Sequence, residues 1–271
     1  MECEGLKCYK VKDEDDSKKY PKLNPILPQP PFLLLGIGSV RSGKTNTLIN
    51  MLRRSDMYGS SNSDNTDGAF EDYLIISNTI NNDKKGKFLK DAFRVEDHWE
   101  NKFVDDLVTK AKETEDRDDL ETTLIVLDDI ISSDFKKTTS NTINSLATRF
   151  RHFEFSIMIF TQSFKAVSNM IRANASDVMI FRQQSNTELE KIEEEYSDLA
   201  PKNFLNYYKI AHSSPYRFLY ISIQDNPAKF YDCFESLIGI GDKMIYTGPI
   251  PDGEDEVFEK QPKKNKNKNK K

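Results

Sequence analysis

Residues 38–45 read Gly-Ser-Val-Arg-Ser-Gly-Lys-Thr, which is the most informative segment of the chain for predicting its fold. Its spacing, a glycine, four residues and then Gly-Lys-Thr, is that of a P-loop, or Walker A motif. An apolar run at 32–37 precedes it and a helical pattern at 45–54 follows it. By residue frequencies alone, the four-position pattern occurs by chance in roughly one chain of this length in a hundred. The motif therefore predicts a nucleotide-binding site.

The composition of the loop suits a nucleoside triphosphate. Short side chains let consecutive backbone N–H groups turn toward the β-phosphate, and the positive end of the next helix adds to the attraction. Lys44 is predicted to reach the β- and γ-phosphates, and the Thr45 hydroxyl to bind Mg²⁺. ATP and Mg²⁺ are the cofactors that this motif implies. The predicted phosphate-binding residues are Gly38, Ser39, Val40, Arg41, Ser42, Gly43, Lys44 and Thr45.

A second motif, Thr-Leu-Ile-Val-Leu-Asp-Asp at 123–129, is an apolar strand that ends in two carboxylates. It has the form of a Walker B motif, in which Asp128 would hold Mg²⁺ and Asp129 would polarise the attacking water. The alternative is a strand followed by a solvated acidic turn. The next apolar strand, 156–160, runs into Gln162, whose amide is predicted to orient the lytic water or to sense the γ-phosphate.

Short apolar runs alternate with longer amphipathic stretches along the chain. The runs lie at 32–37, 73–77, 123–127, 156–160, 178–181 and 217–223, and the helical stretches at 45–54, 103–113, 142–153, 166–173 and 187–199. This alternation predicts an α/β fold with a mainly parallel central sheet and helices on both faces. The order of motifs indicates the P-loop class with an additional strand between the two Walker strands. Either 73–77 or 156–160 is predicted to be that strand.

The chain has 271 residues, of which 37% are hydrophobic and 31% charged. This size fits one large α/β domain, and we predict an extended, proline-rich arm at 1–31, an ATPase domain at 32–251 and a disordered tail at 252–271. The net charge is −5, but residues 260–271 contain seven lysines and no acid, so the rest of the chain carries −12. The polar stretch 60–68 is predicted to be a mobile loop. The body is thus acidic and the end of the tail basic.

Cysteine, histidine and apolar patterns exclude other classes of protein. The three cysteines and three histidines form neither a disulfide framework nor a zinc motif. The longest apolar run has six residues, against the roughly 20 that span a bilayer, so no membrane span is expected. The N-terminus has no secretory hydrophobic region. A soluble protein of a reducing compartment is the simplest interpretation.

Four segments together resemble a known group of motors: GSVRSGKT at 38–45, TLIVLDD at 123–129, RFRHFEFSIMIFTQS at 149–163 and MIRANASDVMIF at 170–181. They are similar to the FtsK/HerA superfamily of DNA-translocating ATPases, and within it to the genome-packaging ATPases of poxviruses and related double-stranded DNA viruses. The resemblance covers about residues 32–225. It implies a RecA-like core of the ASCE type that works as a ring, usually a hexamer, and threads double-stranded DNA at the expense of ATP. It also implies action in the cytoplasm of the infected cell, at the viral factory, and contact with capsid proteins or the virion.

Ring motors take an arginine from the neighbouring subunit to stabilise charge on the γ-phosphate. Arg172 is the first candidate for this catalytic role. Arg149, Arg151 and Arg182 stand behind it, and the alternative for each is a surface arginine or a salt bridge. The polar stretch 131–141, just past the Walker B motif, is a candidate for a DNA-contacting pore loop.

Three other classes of protein are possible on the P-loop alone. A P-loop kinase usually closes an arginine-bearing lid over its substrates, and the loop at 60–68 contains no arginine. A GTPase reads guanine with Asn-Lys-x-Asp, whereas the nearest match, at 101–104, is Asn-Lys-Phe-Val. A non-motor assembly protein with a relic P-loop need not keep both Walker motifs. The kinase and the assembly NTPase remain the alternatives to a motor.

Overall fold

The computed structural model describes residues 20, 23–59, 68–80, 86–116, 119–130 and 140–251, which form one ten-stranded sheet with helices around it. The strands are β1 (Leu33–Ile37), β2 (Asp72–Ser77), β3 (Arg94–Glu96), β4 (Thr123–Asp128), β5 (Phe155–Thr161), β6 (Asp177–Phe181), β7 (Phe218–Ser222), β8 (Lys229–Asp232), β9 (Ser236–Ile240) and β10 (Lys243–Met244). The helices are α1 (Lys44–Arg53), α2 (Gly86–Ala92), α3 (Asn101–Glu113), α4 (Ser140–Arg149), α5 (Asn169–Asn174), α6 (Asn186–Tyr196) and α7 (Phe204–Ala211).

Several predicted segments lie outside these ranges. They are the tail at 252–271, most of the arm (1–19, 21 and 22), most of the mobile loop (60–67) and most of the candidate pore loop (131–139). The division into arm, ATPase domain and tail therefore stays a prediction.

The P-loop strand β1 lies in the middle of the sheet. The strand order is β10-β9-β8-β7-β6-β1-β5-β4-β2-β3, and the strands from β6 to β3 run parallel to one another. β5 stands between β1 and the Walker B strand β4. Of the two candidates, the additional strand is therefore the one at 155–161 and not the one at 72–77. The carboxyl ends of β1, β5 and β4 consequently meet at one edge of the sheet.

Helices cover both faces of this sheet, as the sequence predicted. On one face, Leu33, Leu35 and Ile37 of β1 belong to a core that includes residues of α3 to α7. On the other face, Leu34 belongs to a core that includes residues of α1 and α2. Strands buried on both faces need apolar side chains at successive positions, which explains the unbroken apolar runs in the sequence. The predicted α/β fold is confirmed.

An antiparallel extension, β7 to β10, continues the sheet beyond β6. The sequence indicated β7 but missed β3, β8, β9 and β10, and the helices α2 and α7, because elements of two to eight residues carry too little periodicity. Tertiary packing fixes this region: a Cβ on Gly239 would lie 2.2 Å from the ring of Tyr207, whose hydroxyl donates to Gly241 O at 3.0 Å. These contacts of Tyr207 hold α7 against β9.

Three of the predicted helices differ from the observed ones at their ends. The helix expected at 166–173 is a 3₁₀ turn at Phe164–Ala166 followed by α5. Ser168 separates the two because its hydroxyl accepts from the Ile171 N–H and so caps α5. The helices expected at 142–153 and 187–199 end in the 3₁₀ turns Phe150–Phe153 and Ser197–Leu199.

The described part of the N-terminal arm packs on the sheet. Leu27 is buried in the same core as α1, and the Tyr58 hydroxyl donates to Pro28 O at 2.8 Å. Tyr20 donates to the Glu154 carboxylate at 3.1 Å. None of the helices described by the structure has the length and apolar character to cross a membrane; the longest, α3, has 13 residues.

Candidate nucleotide-binding site

The P-loop begins at the end of β1, and the two neighbouring strands hold it there. The Gly38 N–H donates to Thr161 O at 3.1 Å, and the Ser39 N–H donates to Arg182 O at 3.2 Å. A Cβ on Gly38 would lie 2.4 Å from the Cβ of Phe181, so only glycine fits at this position. Gly43 has a φ of 109°, which is the left-handed region that glycine tolerates. The two glycines of the motif are therefore required by packing and by backbone geometry.

A cleft of about 610 Å³ opens beside this loop. It is lined by Val40, Arg41, Ser42, Gly43, Lys44, Thr45, Asn46, Thr47, Asp129, Gln162 and Tyr216. Pockets of roughly 300–1,000 Å³ are typical of small-molecule sites. The fold thus brings the P-loop, the second Walker B carboxylate and the tip of β5 together. Sequence reasoning missed Asn46, Thr47 and Tyr216; the first two follow the motif directly, whereas Tyr216 lies far from it in the chain.

Lys44 is buried at the first turn of α1. Its ammonium group donates to Gly38 O at 2.7 Å and to Ser39 O at 3.1 Å, both within the P-loop. Burial lowers the pKa of Lys44, and the negative charges of Asp129 and Asp128 oppose that shift. The lysine is therefore held between the phosphate loop and the two Walker B carboxylates.

Asp128 is the last residue of β4 and is only 3% exposed; it does not itself line the cleft, whereas the next residue, Asp129, does. The Ser77 hydroxyl, on the neighbouring strand β2, donates to its Oδ2 at 3.0 Å. Its Oδ1 is buried and has no hydrogen-bond partner in the described part of the chain. Burial, together with the charge of Asp129, raises the pKa of Asp128 to about 6. A buried carboxylate oxygen without a hydrogen-bond partner is available to bind a cation, and Mg²⁺ prefers oxygen ligands.

Asp129 and Gln162 are in direct contact at the rim of the cleft. The Gln162 Nε2 donates to Asp129 Oδ2 at 3.0 Å. Asp129 adopts a left-handed backbone with φ 51°, and its N–H donates to Phe160 O at 3.0 Å. This turn separates the two aspartates: Asp128 continues the buried strand, whereas Asp129 faces the cleft. Strain of this kind often marks a functional position.

Glu188, in the first turn of α6, fixes the loop that follows Gln162. Its Oε2 accepts from the Phe164 N–H at 2.8 Å, and its Oε1 accepts from the Ser163 hydroxyl at 3.3 Å. No sequence pattern predicts this contact, because acids in a first helical turn are common for electrostatic reasons alone. On the other side of the site, the Gln184 N–H donates to Ser39 Oγ at 2.8 Å.

Arg172 does not line the cleft of its own chain. It lies on α5, where its guanidinium pairs with Glu195 at 3.0 Å, contacts Asn169 and stacks 4.7 Å from the Phe164 ring centre. Arg149 bonds to Ser145 on α4, and Arg151 lies 5.4 Å over the Phe150 ring. Arg182 is exposed at the end of β6. Whether any of these arginines acts in a neighbouring site stays a prediction.

Comparison with known proteins assigns the chain to a protein family. A family model described as Poxvirus A32 protein matches residues 96–232, which is half of the chain. The chain belongs to this family. The matched A32 segment includes Asp128, Asp129, Gln162 and Arg172, while the P-loop upstream is identified by its motif and its geometry. Membership confirms the resemblance to viral packaging ATPases that the sequence indicated. No curated protein matches the chain.

Two solved structures share the fold of this A32 family member. The first is B204, the DNA-packaging ATPase from Sulfolobus turreted icosahedral virus, with 16% identity and a TM-score of 0.51 over 74% of this chain and 97% of that one. The second is the genome-packaging NTPase B204 from Sulfolobus turreted icosahedral virus 2 in complex with AMPPCP, with 17% identity and a TM-score of 0.50 over 75% of this chain and 97% of that one. Both similarities show the P-loop NTPase fold.

Proposed function

We propose that this viral DNA-packaging ATPase assembles as a ring, with a hexamer favoured, and moves double-stranded DNA into a capsid by hydrolysing ATP at its subunit interfaces. The observation that carries the proposal is one cleft that holds the P-loop, Asp129 and Gln162, with Asp128 at the adjacent end of β4, in a chain of the A32 family. A relic P-loop would not need this complete set. By the same resemblance, we propose that it acts in the cytoplasm of the infected cell and contacts capsid proteins.

The phosphates of ATP are proposed to bind in the P-loop. Backbone N–H groups of residues 38–45 surround the β-phosphate, and Lys44 exchanges its bonds to Gly38 O and Ser39 O for the β- and γ-phosphate oxygens. The desolvated ammonium interacts more strongly with an anion than an exposed one would.

The residues present fit Mg²⁺. Thr45 lines the cleft and carries a hydroxyl, and the unpartnered Oδ1 of Asp128 would supply a carboxylate oxygen. Bound there, Mg²⁺ would neutralise charge on the phosphates. Ser77 would keep Asp128 oriented through its bond to Oδ2.

Asp129 and Gln162 are proposed to act on the lytic water. Asp129 takes a proton from the water as its oxygen attacks the γ-phosphorus and the bond to the β-phosphate oxygen breaks. Gln162 contacts Asp129 Oδ2 and so orients both the carboxylate and the water. The products are ADP and inorganic phosphate.

An arginine from the adjacent subunit is proposed to complete the site, with Arg172 as the first candidate. Its Nε is buried without a partner in the described part of the chain, and Glu195 offsets its charge. Subunits carrying Arg172→Ala, mixed with subunits carrying Lys44→Ala, should regain some ATPase activity. Assembled mixed rings without any rescue would point to another arginine.

The charge distribution suits a motor that holds DNA within a ring. Residues 1–259 carry −12, so a general attraction to DNA over the whole surface is not expected. The basic segment 260–271, outside the described residues, is proposed to raise the local concentration of DNA. Its removal should weaken DNA binding at low salt and spare basal ATP hydrolysis.

The test of the proposal is an ATPase assay with and without double-stranded DNA. DNA is expected to stimulate hydrolysis, and Lys44→Ala to abolish it. Hydrolysis that DNA leaves unchanged and that a nucleoside or small metabolite stimulates would favour a P-loop kinase. Absence of hydrolysis would favour a non-motor assembly protein with a relic P-loop.

A further inference from the structure

Tyr216 is the most exposed large apolar side chain in the described part of the protein, with 74% of its surface accessible. It follows α7 in the loop that leads to β7, and it is one of the residues that line the cleft. A Cβ built on Gly43 would lie 3.5 Å from both the Cβ and the carbonyl oxygen of Tyr216. Tyr216 therefore lies directly beside the phosphate loop although it is some 170 residues away in the chain.

The backbone holds this ring in place at an energetic cost. Tyr216 has a φ of 63°, a conformation that bulky side chains rarely adopt and that glycine or asparagine would adopt with less strain. The next residue, Arg217, is anchored by Asp232 at 2.7 Å and by Glu235 at 2.7 Å. Two ion pairs thus fix the loop that carries the ring, and the strained tyrosine remains at the rim of the site.

The P-loop and Tyr216 offer different kinds of contact to a ligand in the cleft. The P-loop side offers N–H groups and Lys44, which suit phosphates. Tyr216 is the one aromatic side chain among the described residues that line the cleft, and an exposed aromatic face suits a planar base. The described residues on the P-loop side of the cleft include no aromatic ring on which a base could stack.

We propose that Tyr216 is a stacking platform for the purine base of the bound nucleotide, so that it sets affinity for the nucleoside part separately from affinity for the phosphates. This inference rests on the proposed binding of ATP at the P-loop. Because stacking uses the ring face, a tyrosine and a phenylalanine should serve equally at this position.

The experiment compares binding of ATP with binding of inorganic tripolyphosphate, by calorimetry on the full-length protein. Tyr216→Asn, which suits the left-handed backbone, should weaken ATP binding by about 5- to 100-fold and leave tripolyphosphate binding within about twofold. Tyr216→Phe should bind both as the wild type does. Tyr246→Asn is the matched control, since Tyr246 is an exposed tyrosine outside the cleft.

A second variant separates the ring from the backbone strain. Tyr216→Gly should raise the melting temperature, because glycine relieves the positive φ, while ATP binding still weakens. Unchanged ATP affinity in Tyr216→Asn and Tyr216→Gly would overturn the proposal. An equal loss of tripolyphosphate affinity would also overturn it and make Tyr216 a support for the P-loop.

Failure of the proposed function has a different signature. In that case the wild-type protein would bind neither ATP nor tripolyphosphate, or Lys44→Ala would leave both affinities unchanged. The proposed stacking role is tested by the ratio of ATP affinity to tripolyphosphate affinity in proteins that keep Lys44. If Tyr216→Asn leaves this ratio unchanged and prevents assembly of the oligomer, the stacking proposal is wrong and Tyr216 is a subunit contact.

Discussion

Asp128 and Asp177 are both buried, at opposite ends of parallel strands in the same sheet, and they differ in how many of their carboxylate oxygens have a hydrogen-bond partner. Asp128 ends β4 at the cleft, and Asp177 begins β6 at the far edge. Burial raises the pKa of each to about 6. Asp177 accepts from the Tyr220 hydroxyl at 2.6 Å and from the Ser176 hydroxyl at 2.7 Å, one bond to each oxygen. Asp128 has a partner for Oδ2 alone.

The comparison shows that burial and a raised pKa do not by themselves mark a functional acid. Asp177 is satisfied within the chain, where it ties β6 to β7, so its role is structural. Asp128 keeps one oxygen without a partner and faces Lys44, so it retains capacity for a ligand. The unpartnered oxygen distinguishes the two more clearly than the pKa does.

Neutralising each of the two carboxylates tests most directly whether Asp128 and Asp177 have different roles. Asp128→Asn should lower ATP turnover by about 1,000-fold because it removes a charge aimed at the metal and phosphates. Asp177→Asn should leave turnover within about twofold, since an amide can still accept from Tyr220. Steady-state ATPase assays measure both. Mg²⁺ with ADP should raise the melting temperature of the wild type and of Asp177→Asn but not of Asp128→Asn, and similar behaviour of the two variants would refute the distinction.

A smaller loss is expected at the neighbouring carboxylate. Asp129→Asn should reduce turnover by about 100-fold and leave ATP bound, because it removes the proposed base but not the phosphate or metal contacts. Single-turnover hydrolysis and calorimetric ATP binding test this together. A fully active Asp129→Asn enzyme would remove Asp129 from the mechanism.

The buried position of Asp177 also predicts that the free energy of unfolding depends on pH. Asp177 has a pKa of about 6 when folded and near 3.8 when unfolded, so the folded state binds the proton more tightly. The stability that this provides is present below about pH 4 and is lost as the pH rises to about 6, a change of roughly 1–3 kcal/mol. Asp225 adds to the shift and Arg151 opposes it, along with Tyr220 and Ser176.

Urea unfolding between pH 4 and 8 measures this contribution as the difference between wild type and Asp177→Asn. The variant should gain stability relative to the wild type as the pH rises. Asp198→Asn, at an exposed position, is the control. Parallel curves for wild type and Asp177→Asn would contradict the assignment.

The smallest expected effect is at Glu188, which touches neither nucleotide nor metal. Glu188→Ala removes the two acceptors that fix Ser163 and Phe164, so kcat should fall about tenfold while ATP affinity stays unchanged. Glu188→Gln keeps an acceptor and should recover most of the rate. Glu190→Ala, at an exposed position on the same helix, is the control. A rise in KM for ATP instead of a fall in kcat would show that Glu188 contributes to ATP binding and not to the rate of hydrolysis.

Much of the site followed from the sequence because its motifs are contiguous. The P-loop residues, Asp128 and Asp129 each lie directly after an apolar strand, and parallel strands bring their carboxyl ends to one edge. The position of Gln162 beside Asp129 required β5 to lie next to β4, which the motif order suggested but did not decide. Ser77, Glu188 and Tyr216 were missed, because each reaches the site from an element whose own pattern carries no catalytic signal.

The fold class, the phosphate loop and the pair of Walker B carboxylates follow from the amino-acid sequence, since each is encoded in consecutive residues with a fixed chemical role. Three features became known from the folded chain: the strand that separates the Walker motifs, the oxygen of Asp128 that is left for a ligand, and the distant aromatic side chain that lines the cleft. These features depend on contacts between residues about 30 to 170 positions apart, which no local sequence pattern records.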